Sequence, residues 1–331
     1  MTITRSDIAA HLEQSIRTGF LVGKKNYTPL RSKFVREIGS DGAFEDYADM
    51  GSPPMPVKNA GKLGPGGTTR AGGQVVGGMN AGEAITVFGA EEQSMRVYNV
   101  DWELTLAVSH NAIDDDRAGD VEAWAKGAAV SFERHMDFLA FDALNRGEST
   151  YYGPAYDGLA FFHDAHIDPN ATYVTGQDNK NASAISMSDV SAALTTFETV
   201  KVAGSAFKDS RGNPMGLSHS LLIVSSALER LGTQITVNRE GVNLALGTGL
   251  NPYAGNVSLL VAPGGYLDTT AWFVIDPTLP TKPINLQKRK EATLSIWDDE
   301  KTGDGGMRYF KWHARYVPFY GDWRLAIQGN T

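Results

Sequence analysis

The sequence predicts an α+β protein organised around one unusually long helix. Three observations support this class. Apolar residues recur at spacings of three and four over residues 116–146, strand-type alternation occurs over 101–109 and again from 284 onward, and a glycine-rich stretch separates strand-like segments. With 331 residues, 42% of them hydrophobic, the chain can bury either one large core or two compact lobes.

The N-terminal region predicts a short amphipathic helix over residues 7–17. Ile8, Leu12 and Ile16 recur every four residues, and Thr18-Gly19 is expected to end the helix.

A second, much longer helix is predicted over residues 116–146. Trp124, Phe132 and Met136 lie on its apolar stripe, and Asp116 closes an acidic run, 114–116, that suits a helix N-terminus. Gly147 is expected to end it in a left-handed conformation. Such a helix would span about 45 Å at 1.5 Å per residue, so it is predicted to be a spine with one packed face.

Between Gly61 and Gly82 lie nine glycines, few charges and no aromatic residue. This composition cannot form a core of its own, and either a flexible linker or a protruding arm would fit it. We favour an arm that becomes ordered on another subunit. The residues predicted to make that contact are Lys62, Gly66, Gly67, Arg70, Gly72, Gly73, Gly77 and Gly78.

The second half of the chain predicts one helix followed by several strands. Ser188-Asp189 is expected to cap the helix, and the strands are expected at 221–224, 257–261 and 272–275. Two aromatic-rich strands, 309–316 and 323–327, are expected to pair with each other.

Charge and composition exclude several classes of function. The net charge of −8 argues against sequence-specific nucleic-acid binding, which needs a concentrated basic face. The absence of cysteine excludes disulfides, cysteine–zinc sites and thiol nucleophiles. No apolar run approaches the length that a membrane span requires, and no secretory signal is expected at the N-terminus.

Few residue patterns indicate chemistry. His163 and His166 are spaced like a metal-binding pair, but no third ligand has a supporting spacing, so a polar loop is favoured. Residues 298–303 resemble half of a calcium loop, yet Tyr309 stands where the loop needs glutamate, so a hairpin turn is predicted. The C-terminal aromatics could stack on single strands, but a buried sheet or interface is favoured. The adjacent carboxylates 114–116 could bind a cation, although a helix cap is favoured. No phosphate-binding glycine motif and no nucleophile elbow occur, and neither a cofactor nor catalytic residues are expected.

Four motifs, in this order, resemble the major capsid proteins of tailed bacteriophages with the fold named for the Hong Kong phage, and in particular the major head subunits of Mu-type phages. They are LAVSHNAIDDD at 106–116, DGLAFFHDAH at 157–166, WFVID at 272–276 and ARYVPFYGDW at 314–323.

The resemblance implies a division into an N-terminal arm (1–45), an extended loop (46–100), a peripheral lobe with the spine helix (101–184), an axial lobe (185–285) and further peripheral-lobe strands (286–331). It also implies a shell subunit that assembles with itself into the pentamers and hexamers of an icosahedral particle around double-stranded DNA. A scaffolding protein, a portal and a decoration protein are the expected partners. The expected location is the virion capsid, after assembly in the bacterial cytoplasm.

Two other functions stay open from the sequence. A nanocompartment shell of the same fold would enclose a cargo enzyme rather than a genome. A metal-dependent hydrolase would use His163 and His166.

Overall fold

The computed structural model describes residues 5–48, 94–109, 118–167, 176–181, 190–209, 212–237, 251–299 and 306–329. The glycine-rich contact residues predicted between Lys62 and Gly78 lie outside these ranges, as do Asp116 and the expected helix cap Ser188-Asp189. The predicted division into arm, loop and lobes stays a prediction.

Four α-helices occur in the described part of the chain: α1 (Arg5–Asn26), α2 (Ala118–Asn145), α3 (Val190–Ser205) and α4 (Glu229–Thr236). Helix α2, with 28 residues, confirms the predicted spine. Its buried stripe includes Phe132 and Met136, and Trp124 packs against the same core.

Ten β-strands form two four-stranded sheets and one two-stranded pair within the described residues. They are β1 (Val35–Gly39), β2 (Phe44–Ala48), β3 (Ser94–Tyr98), β4 (Asp101–Ser109), β5 (Leu221–Val224), β6 (Ser258–Val261), β7 (Trp272–Ile275), β8 (Ile284–Asp299), β9 (Met307–Tyr320) and β10 (Ala326–Gln328). The first sheet has the order β1-β8-β9-β4, the second has the order β10-β7-β5-β6, and β2 pairs with β3.

The first sheet and the spine form one layered body. Strands β8 and β9 make a long antiparallel hairpin, and β4 adds to its free side with the predicted alternation of exposed and half-buried residues. Trp312 of β9 stacks on Phe20 of α1, at 5.8 Å between ring centroids, and lies 5.4 Å from Trp124 of the spine. Helices α1 and α2 therefore share one face of this sheet.

The second sheet is buried through its centre. All four residues of β5 and all four of β7 are buried, as expected for continuous apolar runs. Phe197 of α3 and Ile235 of α4 belong to the same core.

Helix α1 is longer than predicted: it passes through Thr18-Gly19 and ends at Asn26. Both glycines of its second half face the spine. A Cβ on Gly23 would lie 2.5 Å from the Lys126 carbonyl oxygen, and one on Gly19 would lie 3.0 Å from Cγ of Glu122. These glycines permit close packing of two helices rather than ending one.

Two further predictions were wrong. Gly147 is not in the left-handed conformation. A Cβ at this position would lie 2.3 Å from the Phe162 ring, so glycine is required here by close packing. The segment 323–327 does not pair with β9. After β9, Gly321 and Asp322 turn the chain, a 3-10 helix follows at Trp323–Leu325, and β10 joins β7 in the second sheet.

Candidate assembly elements: arm anchor, loop base and lobe junction

The segment after α1 is fixed to the spine by a buried ionic cluster, here called the arm anchor: Tyr27, Arg31, Glu37, Glu133, Asp137 and Lys288. Arg31 is 2% exposed, and its guanidinium bonds Asp137 at 2.9 Å and Glu133 at 2.7 Å. Asp137 also accepts bonds from the Tyr27 hydroxyl at 2.7 Å and the Leu30 amide at 3.0 Å. One spine carboxylate therefore holds both backbone and side chains of the segment that follows α1.

Neighbouring charges in the arm anchor shift the pKa values of its members. Burial lowers the pKa of Arg31, but the bonded carboxylates of Glu133 and Asp137 outweigh it, and the pKa lies above its ordinary value. Burial raises the pKa of Glu37, but Lys288 at 2.8 Å and Arg31 outweigh it and hold that pKa below its ordinary value. Burial and the Asp137 carboxylate together raise the pKa of Tyr27. Removal of one partner would leave charge uncompensated in the interior.

The pair β2–β3 forms the base from which residues 49–93 leave and to which they return, because Ala48 pairs with Ser94. This loop base is bonded to the first sheet. The Tyr47 hydroxyl donates to Oε1 of Gln287 at 2.8 Å, and Nε2 of Gln287 donates to Oδ1 of Asn99 at 2.9 Å. The Tyr47 ring also stacks on Phe319, at 4.7 Å between centroids. Gln287 is fully buried, so these directional bonds set the orientation of the loop base on the sheet.

The outer surface of the loop base carries unburied aromatic side chains. Tyr98 is 62% exposed and lies 5.6 Å from Phe44, and Arg96 covers the Phe44 ring while pairing with Asp46.

The two sheets meet around residues 155–167, here called the junction loop. The Phe161 ring stacks on Tyr320, the last residue of β9, at 4.7 Å. The adjacent Phe162 ring stacks on Phe273 of β7 at 5.4 Å. Phe161 thus contacts the first sheet, and the adjacent Phe162 contacts the second.

The two histidines with metal-like spacing, for which a polar loop was favoured, belong to this junction. His166 is fully buried, stacks on Trp323 at 4.2 Å between centroids, and bonds Asp157 through Nδ1 at 2.5 Å and the Phe161 carbonyl through Nε2 at 3.2 Å. Both ring nitrogens are therefore occupied within the chain. His163 is partly exposed, and its Nδ1 accepts from the Ala165 amide. The two rings do not present free nitrogens to a common point.

Asn179, fully buried, completes the junction. Its Nδ2 lies within hydrogen-bond distance of the carbonyls of Phe161 at 2.8 Å, Trp323 at 3.1 Å and Ala326 at 3.3 Å, and its Oδ1 accepts from the His163 amide. One side chain thereby joins the junction loop to the connection between β9 and β10.

The other candidate sites from the sequence that the structure describes are parts of a hairpin or of the buried core. Asp298 of β8 lies opposite Arg308, and Asp299, the last residue of β8, pairs with Met307, which confirms a hairpin at this position although residues 300–305 lie outside the described ranges. The C-terminal aromatics are mostly buried in the sheets, as favoured, and so offer no stacking platform. The carboxylates 114–116 lie outside the described residues. Among the residues that the structure describes, no group of three His, Asp or Glu is placed to hold a metal ion.

Sequence reasoning missed the residues that join the elements. Nothing in the local pattern distinguishes Arg31, Gln287 or Asn179 from exposed polar residues, because their burial depends on contacts more than a hundred residues away or on a loop without periodicity. Gly19 and Gly23 did carry a signal: glycines four apart lie on one helical face.

Comparisons with known proteins agree with the fold that the structure shows. The procapsid protein of bacteriophage JBD30 superposes with a TM-score of 0.52 at 15% identity, over 98% of this chain and 75% of that chain. The virus-like particle from Pyrococcus furiosus superposes with a TM-score of 0.50 at 10% identity, over 95% of this chain and 98% of that chain. The fold is that of icosahedral shell proteins of the Hong Kong phage type, as predicted.

A second comparison matches part of the sequence to a family of shell proteins. Residues 86–197, about a third of the chain, match the family model described as Mu-like prophage major head subunit gpT. This confirms the predicted resemblance to the major capsid proteins of Mu-type phages. No curated protein sequence matches the chain significantly. Within the described residues, the structure contains no helix that is both long and apolar enough to span a membrane.

Proposed function

We propose that this chain is a phage major capsid protein that forms the pentamers and hexamers of an icosahedral shell around double-stranded DNA. The observation that carries the proposal is the combination of a shell-protein fold along nearly the whole chain with a major-head-subunit match over residues 86–197. The net charge of −8 suits a wall that encloses DNA without adhering to it.

The extended loop supplies the mechanism of assembly in this proposal. Its base is bonded to the first sheet through Tyr47 and Gln287, so the residues on either side of the loop are held in a fixed orientation on the subunit. Its glycine-rich part, including Lys62 and Arg70, cannot bury a core of its own, and a neighbouring subunit would supply the missing contacts. Each subunit would then be held by several modest interfaces at once.

Expression of the chain, alone and with a candidate scaffolding protein from the same phage, tests the proposal. Electron microscopy is expected to show closed particles of uniform diameter in at least one of the two expressions. A chain that stays monomeric at high concentration, both alone and with the scaffolding protein, would contradict the proposal.

A nanocompartment shell is the second candidate, favoured by the likeness to the virus-like particle from Pyrococcus furiosus. Purified native particles separate the two: the first proposal expects nuclease-protected double-stranded DNA, and the second expects one co-purifying enzyme and no genome. The match to a major head subunit favours the first.

The remaining parts of the proposal concern partners and place. A scaffolding protein, a portal and a decoration protein would complete the head, and assembly would occur in the bacterial cytoplasm. The chain would act by self-assembly rather than by catalysis. Of the two histidines with metal-like spacing, His166 has both ring nitrogens bonded in the lobe junction and so has none free for a metal ion, which argues against the hydrolase alternative.

A further inference from the structure

The two four-stranded sheets share no strand in the described part of the chain. Between them the chain crosses at residues 276–283, from β7 to β8, and at residues 321–325, from β9 to β10. Such short connections limit the distance between the sheets but do not fix the angle between them. Contacts at the junction must do so.

The junction loop makes contacts of the kind that fix an angle. Stacked rings have a preferred orientation and a defined separation, unlike aliphatic contacts, which tolerate sliding. Phe161 is stacked on the first sheet and Phe162 on the second, with interplanar angles of 12° and 20°. Both rings are buried, so their positions are set by packing on every side.

The backbone of the loop is held by buried directional bonds. His166 bonds Asp157 and the Phe161 carbonyl, and it stacks on Trp323 with an interplanar angle of 8°. The Phe162 amide donates to the Gly147 carbonyl at 2.8 Å, directly after the spine ends. The loop is thereby bonded to the turn that follows the spine and to itself, and it is stacked on the crossing at Trp323.

We propose that the junction loop sets the angle between the two sheets and so selects the curvature at which subunits assemble. The inference rests on the proposed function as a shell subunit. Curvature in a shell depends on the shape of each subunit, and a small change in an internal angle is repeated in every copy. His166 acts as a positioning residue in this scheme because it is fully buried within the subunit and contacts Asp157, Phe161 and Trp323.

The test compares particle diameters for His166→Gln and His163→Gln. The first variant loses the ring that stacks on Trp323, whereas the second changes a partly exposed histidine three residues away in the same loop. Ile235→Val is a second control, because it removes one methylene from the core beneath α4, away from the junction, and lowers stability without altering the loop. Phe161→Leu provides a second test variant if His166→Gln does not fold.

Cryo-electron microscopy is expected to show one size class for the unchanged chain, His163→Gln and Ile235→Val, and several size classes or open sheets for His166→Gln and Phe161→Leu. Folded junction variants that give the original single diameter would overturn the inference. Failure of both junction variants to fold, with both controls intact, would also overturn it, because the loop would then be required for folding rather than for shape. If the unchanged chain makes no particles under any condition, the proposed function itself fails.

Discussion

Removal of the Asp137 carboxylate should loosen the attachment of residues 27–31, and of α1 before them, to the spine. Asp137 is fully buried and accepts from Nη1 of Arg31 at 2.9 Å, from the Tyr27 hydroxyl at 2.7 Å and from the Leu30 amide at 3.0 Å. In Asp137→Ala, Arg31 keeps Glu133 and Glu37 but loses one of its two buried partners.

The size of the effect follows from burial. Removing one partner of a buried ion pair costs about 3–5 kcal/mol, and we expect about 3 kcal/mol because two carboxylates stay near Arg31. Asp137→Asn keeps an oxygen that can accept from Tyr27 or Leu30 but loses the charge-assisted bond to Arg31. Its cost should therefore be smaller, about 1.5–3 kcal/mol.

Asp46→Asn is the matched control. Asp46 also binds an arginine through two bonds, to Arg96 at 2.7 and 2.8 Å, but both side chains are largely exposed. Exposed pairs are screened by water and salt, so this variant should unfold nearly as the unchanged chain does.

The measurement is denaturant unfolding of unassembled subunits by tryptophan fluorescence, together with hydrogen exchange along α1. Trp312 stacks on Phe20 of α1 and should report detachment of the arm. An unchanged midpoint for Asp137→Ala, or full protection of α1 in that variant, would refute this account of the arm anchor.

Three further predictions concern a close helix contact, a buried histidine and the glycine-rich arm. Gly23→Ala should destabilise the subunit, since overpacking against the Lys126 backbone costs about 1–3 kcal/mol. Gly127→Ala, with open space around it, should stabilise the subunit by up to about 1 kcal/mol. Thermal unfolding should show a lowered melting temperature for the first variant and a raised one for the second. Burial lowers the pKa of His219 to about 4 from 6.5, despite the opposing effect of Asp276, so the folded state favours the neutral ring and stability should fall as pH drops from about 6.5 to 4. His219→Gln should flatten that part of the stability profile, and an equally steep decline would contradict the assignment. Deletion of Lys62 to Gly82 should leave a folded subunit that forms no stable shells, and normal particles in electron micrographs would defeat this expectation.

The elements with a clear period could be predicted from the sequence. The stripe through Phe132 and Met136 gave the spine, and the apolar runs gave β5 and β7 with their observed bounds. These predictions succeeded because periodicity and local burial act within a few residues of one another.

Two of the errors came from glycines whose structural role depended on a distant partner. Gly19 was interpreted as a helix end, and Gly147 as a left-handed cap, but each allows another part of the chain to come close. In the sequence, a glycine that ends a helix looks the same as a glycine that permits close packing. The contacts with Glu122 and Phe162 that decide between them require the folded structure.

The same limit explains why the candidate functional elements were only partly foreseen. The His163–His166 spacing left a metal site open as the disfavoured alternative to a polar loop, because spacing shows which side chains can meet but not what already occupies their nitrogens. Arg31 and Asp137 are 106 residues apart, so no local pattern could link them.

The polar groups that the sequence could not place have a shared location. Arg31 with Asp137, Gln287 with Tyr47, and Asn179 and His166 with the Phe161 carbonyl lie where one element meets another, while the centres of β5 and β7 are wholly apolar. Apolar burial stabilises a fold but has little directional preference, whereas a buried hydrogen bond is costly unless its geometry is kept. A protein whose work depends on the angles between its parts needs directional contacts at the joints more than inside the layers. A shell subunit is such a protein, because errors of angle in one copy accumulate around the whole particle.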